Sequence, residues 1–193
     1  MQYKTELPPF KDNIPKYSEE NEYLLKDLLK KENYIDFYKA IISIPIKKEA
    51  FLKFLLENRF EGHVPVYWML TDYYSKEGMA EETHKWYYIA LIMTQQDSYL
   101  CIDTSAKGTP RYLMKFYMEA LSLTRKTPQY IDPAMREVVF FLDNLKTRSH
   151  PSWVCRYGQI TGYSNPNGLI DKNNWKETRA TVLKRFTDSM STK

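Results

Sequence analysis

Glycine is scarce in this chain, six among 193 residues, and that scarcity argues against a turn-rich sheet protein. Cysteine is scarcer still. Cys101 and Cys155 stand alone, no CxxC occurs, and zinc-ribbon or thioredoxin-like chemistry is not expected. His63, His84 and His150 are far apart and fit no HxxxH or HExxH spacing, so no metal site is expected. Neither a G-x-G-x-x-G turn nor a P-loop is present, which removes those nucleotide-binding devices and leaves no cofactor implied. No apolar run approaches the ~20 residues of a membrane span. Residues 1 to 20 show neither a basic start nor a hydrophobic signal core, so the chain as written predicts a cytoplasmic protein. The same polar leader would suit a mature exported protein, and then a periplasmic one.

What the chain does have is aromatic weight, 15% of its residues, with 16 Tyr, 9 Phe and 4 Trp. Its charge is uneven. Residues 1 to 100 hold 13 Lys/Arg against 16 Asp/Glu, and residues 101 to 193 hold 15 against 8. A net −3 half followed by a net +7 half favours an acidic partner at the C-terminal side. The basic residues are dispersed, so nucleic-acid binding is not expected.

Residues 1 to 17 contain Pro8, Pro9 and Pro15 without any period and predict an extended arm. Ser18 then reads as a helix cap, followed by Tyr23, Leu24 and Leu28, with Leu25 and Leu29, at helical spacing. Further helices are predicted on Tyr34, Phe37, Tyr38, Ile41 and Ile42, and on Ala50, Phe51, Phe54 and Leu55. Pro65 opens a fourth helix with Trp68, Leu70, Tyr73 and Tyr74, and Gly78 turns it into a fifth with Trp86, Tyr87, Ala90 and Leu91. Leu113, Phe116, Tyr117, Ala120 and Leu121 form a sixth stripe, and Met135, Val138, Val139, Phe141 and Leu142 a seventh. A long loop occupies residues 148 to 171. Asp171 caps a final helix with Trp175, Val182, Phe186 and Met190 on one face. The expectation is an all-α chain of seven or eight helices in antiparallel hairpins, a single domain over residues 18 to 193.

The order Trp68, Leu70, Tyr74, Gly78, Trp86-Tyr87, Ala90 resembles the Sel1-like branch of the tetratricopeptide superfamily. It departs from that pattern at Thr71, where glycine is customary, and at Thr83, where alanine is. The resemblance implies protein–protein recognition and no chemistry. The TQQD segment running into DSYLCIDTSA, with the tryptophan-cysteine loop at Trp153, is similar to small bacterial proteins found beside secreted toxins, some of them immunity proteins. A partner protein, concretely a cognate toxin to be occluded, is what that likeness implies.

The aromatics of the hairpin exceed what one inner face can bury, because Tyr87 and Tyr88 point about 100° apart on a helix. Trp68, Tyr74 and Tyr88 are therefore candidates for partner contact, with the polar cluster Gln95, Gln96 and Asp97 and with Trp153. The alternative for the aromatics is packing against the arm and the long loop, and for Asp97 and Asp103 it is helix capping. Cys101 and Cys155 are either a disulfide or two buried thiols. No catalytic residue is assigned. Two rivals remain: an adaptor or assembly factor of the cell envelope, and a small hydrolase using Cys155 with His150.

Overall fold

A computed structural model describes residues 19–43, 48–145, 147–155 and 168–191; the N-terminal arm and residues 156–167 of the long loop lie outside the described residues. Among the described residues the chain is all-α, its only extended pairing being the isolated antiparallel bridge of Cys101 with Leu169. It falls into two compact units, Met1–Phe54 and Leu55–Lys193.

The first unit holds α1 (Glu19–Lys30), α2 (Tyr34–Ser43) and the first turns of α3 (Lys48–Glu57). Leu25, Leu29, Tyr34, Phe37 and Phe54 are buried, and the rings of Phe37 and Phe54 lie 6.4 Å apart. The inner stripe of α1 runs through Leu25 and Leu29, while Tyr23 and Leu24, expected on it, are exposed. Glu32 ends α1 with φ +53°, and the amides of Glu32 and Asn33 reach back to the carbonyls of Leu29 and Leu28.

In the second unit α4 (Val64–Lys76) and α5 (Ala80–Ser98) form the expected hairpin. Gly78 adopts φ +69°, its amide bonds to Ser75 and that of Met79 to Tyr74, a pattern that closes the last carbonyls of α4. An L side chain there would be strained by conformation alone, since a Cβ would meet nothing within 4 Å. Thr71 and Thr83, where the resemblance leads one to expect smaller residues, are fully buried. Each hydroxyl donates to the carbonyl one turn back, at Tyr67 and Met79.

The chain continues through a 3-10 turn at Thr104–Gly108, α6 (Thr109–Met114), α7 (Met118–Lys126), α8 (Ile131–Asp143) and α9 (Ser152–Cys155), and the last described helix is α10 (Trp175–Ser191). That makes ten α-helices among the described residues rather than seven or eight, besides three short 3-10 segments. α9 is a single turn inside the expected loop, and the sixth stripe breaks in two at residues 115–117. The break has a packing cause. Tyr117 turns inward and stacks on Trp68 with ring centroids 4.6 Å apart, which throws Phe116 outward to 64% exposure, against the expectation of an inner Phe116.

α5 runs through the middle of this unit, touching α4, α6, α7, α8, α9 and α10. Around its first half Tyr67, Trp86 and Phe141 meet ring on ring at 5.6 to 6.1 Å. Lys85 adds an ion pair to Glu137 of α8 at 2.9 Å.

Candidate functional site

The second half of α5 carries the polar residues singled out in the sequence, and they divide by direction. Asp97 is 1% exposed. Its Oδ1 accepts from Arg148 Nη2 and Arg179 Nη2, each at 3.2 Å, and its Oδ2 accepts from the indole N–H of Trp153 at 3.2 Å. Gln96, also buried, accepts from Arg148 Nη1 at 2.7 Å and donates to the carbonyl of Arg179 at 2.9 Å. A carboxylate withdrawn from water needs charge and donors around it, and here two guanidinium groups and an indole supply them. Burial lowers the Arg148 pKa, the Asp97 carboxylate opposes that effect, and the second cation, Arg179, adds to it.

Beside this network Cys101 and Cys155 are bonded to each other, with Cα atoms 5.4 Å apart. Leu100, Ala106, Val154 and Leu169 bury the bridge, and Trp153, Ile170 and Trp175 pack on that cluster. The backbone joins in, with Ile102 N donating to Gly168 O at 2.7 Å and Ile170 N to Leu100 O at 2.8 Å. On the far side of Arg148, Ser149 donates through backbone and hydroxyl to Gly62 O. Gly62 adopts φ +75°, and a Cβ there would run into the backbone of Thr147 and Arg148.

Of the residues expected to touch a partner, Trp68, Gln96 and Asp97 thus face inward. Trp68 donates to Thr94 Oγ1 at 3.1 Å, and Tyr74 is buried as well. Trp153 is half-buried against Asp97, and Tyr88 and Gln95 are half-exposed. The capping alternative holds for Asp103, which accepts from the Ser105 amide at 2.9 Å, whereas Asp97 goes to the arginines.

Two surface features were not singled out in the sequence. On α6 and the start of α7, Tyr112 (43% exposed), Phe116 (64%) and Met118 (55%) stand outside among the exposed Arg111 and Lys115, with the Tyr112 and Phe116 rings 5.2 Å apart. The helix break at residues 115–117 was the missing signal. Between the end of α5 and α10 lies an open groove of about 240 Å³ lined by Gln95, Tyr99, Val182, Arg185, Phe186 and Ser189.

Among the described residues no three His, Cys, Asp or Glu side chains converge as metal ligands would, and no helix is long and apolar enough to cross a membrane. The Cys155 sulfur is held in the disulfide and is no thiolate in this structure, so the pairing with His150 lacks its nucleophile. His84 is buried on α5. Thr127 Oγ1 donates its own hydrogen to Leu123 O at 2.7 Å, so at 3.0 Å it accepts from His84 Nε2. Nδ1 is left as a buried acceptor with no partner among the described residues, and burial lowers the His84 pKa from the ordinary 6.5.

Fold and site together define, among the described residues, an all-α protein whose second unit is built around the α4–α5 hairpin. Compared with known protein families, curated protein sequences and solved structures, the chain matches none of them.

Proposed function

We propose that this chain is a protein-binding helical domain of the tetratricopeptide/Sel1 type, and most concretely an immunity protein that occludes a secreted bacterial toxin. The observation that carries the reading is the exposed cluster of Tyr112, Phe116 and Met118, set among Arg111 and Lys115. Aromatic and methionine side chains are enriched where proteins meet, and they dominate interface energetics when desolvated. Bases at their rim steer an acidic partner, in keeping with the +7 half of the chain. The buried Trp68, Gln96 and Asp97 then serve as the frame that holds the binding surface, with Gln95 and Tyr88 left to reach a partner. The disulfide supports an oxidising compartment such as the periplasm.

Co-expression with the product of the adjacent coding sequence tests the reading. Growth arrest by that product should be relieved by the wild-type chain. Tyr112→Ser combined with Phe116→Ser should lose relief while the melting temperature holds, because both rings are exposed. Loss of two such anchors weakens binding by about 2 kcal/mol or more. Wild-type chain without effect on growth overturns the reading, and full relief by the double variant removes this face from it.

A further inference from the structure

The groove at the end of α5 has a chemistry that the preceding reading does not use. Tyr99 stands at the C-cap of α5, and its ring is flanked by two cations: Lys107 Nζ lies 4.7 Å from the ring centroid and the Arg185 guanidinium 5.7 Å. Among the described residues neither cation meets a carboxylate within ion-pair distance. Lys107 and Arg185 are exposed, so the charge they place beside the ring faces solvent. The floor is apolar, from the buried Val182 and the half-buried Phe186. Gln95, one turn before Tyr99, lines the same groove, and its carboxamide makes no hydrogen bond among the described residues, leaving a donor and an acceptor uncommitted. About 240 Å³ lies below the roughly 300 Å³ at which sites for whole small molecules begin, and it opens to the surface.

We infer that this groove seats a single apolar side chain of a partner protein, with a neighbouring carboxylate of the same segment drawn to Arg185 and Lys107. The inference rests on the protein-binding reading and names the partner's chemistry: an acidic residue next to an aromatic or aliphatic one. Charge complementarity selects it. Arg185 beside the apolar floor and Lys107 against the Tyr99 ring, neither with a counter-ion among the described residues, favour an anion carried on an apolar group, and a guanidinium can hold that carboxylate bidentately. Asp188, one turn after Arg185 on α10, is the acid nearest to it in sequence, and it stands four positions after Lys184, a spacing that places those two on one helix face.

The probe is 3-phenylpropionate, a ring and a carboxylate in one small molecule, titrated into the oxidised full-length chain and followed by backbone amide NMR. Its amide shifts should centre on Gln95, Tyr99, Arg185 and Ser189. The alcohol 3-phenylpropanol should bind about ten-fold more weakly, and so should the acid to Arg185→Gln, a variant that keeps its fold because Arg185 is exposed. Equal binding of acid and alcohol, shifts scattered over the surface, or Arg185→Gln binding like wild type would each overturn the inference. In the co-expression test Arg185→Gln should relieve growth arrest less than wild type. Full relief by Arg185→Gln overturns the groove and leaves the protein-binding reading standing. No relief by wild type overturns that reading and the protein origin of the occupant with it, while the NMR titration still decides whether the groove takes a carboxylate.

Discussion

The two halves of α5 are fixed in the core by different means. Around Trp86 the closure is ring on ring, with Tyr67 from α4 and Phe141 from α8 meeting it at about 6 Å. Around Asp97 it is ionic and covalent, with two arginines, an indole and the Cys101–Cys155 bridge converging from segments distant in sequence. Apolar closure tolerates loss of a contact by degrees, because dispersion and burial are summed over many atoms. A buried carboxylate does not, because removing it leaves its partners charged and desolvated.

Asp97→Ala is therefore expected to have the largest effect of any single change at this end. It leaves Arg148 and Arg179, each under a fifth exposed, without their shared counter-charge, and a loss of about 3–5 kcal/mol should appear in chemical denaturation. A loss near zero would mean that water takes the place of the carboxylate and that the contrast between the two halves is false.

Removing the bridge comes next. The cysteines are separated by 54 positions, and closure of a loop of that length restricts the unfolded chain by up to about 4 kcal/mol. Cys101→Ser combined with Cys155→Ser should lower stability toward that figure, measured against the oxidised parent. An unchanged midpoint would leave the Asp97 network as the sole closure of this end.

The smallest effect sharpens the comparison from the aromatic side, where His84 is a buried polar residue. Its folded pKa is below the ordinary 6.5, so between the two values the unfolded chain binds the extra proton. The contribution of neutral His84 is thus complete above about pH 6.5 and is lost as pH falls toward the folded value. Melting temperature should drop on acidification through that window, and less steeply in His84→Gln. Equal slopes in parent and variant would assign the drop to other groups, His63 among them, whose pKa burial also lowers.

The same contrast explains what could be read from the sequence. The α4–α5 hairpin was legible because its signals are local: apolar spacing, Pro65 in the first turn, and a glycine where positive φ is needed. The break before α7 was not, since Phe116 and Tyr117 are adjacent aromatics and only Trp68, far back in the chain, decides which one turns inward. Asp97 is legible in the sequence as an acid at the end of an apolar helix. Its partners stand 51, 56 and 82 positions away, and no local period reports contacts of that range. Gln95 belongs to the same polar cluster, but the groove it lines needs Tyr99 and Arg185, which only the packing of α10 against α5 brings together.

Amide hydrogen exchange along α5, with and without reductant, tests most directly whether its two halves are held independently. Reduction should speed exchange at residues 95–101, together with 148–155 and 168–179, while residues 82–92 keep their protection behind the Trp86 stack. Uniform loss of protection along the whole helix would contradict the account.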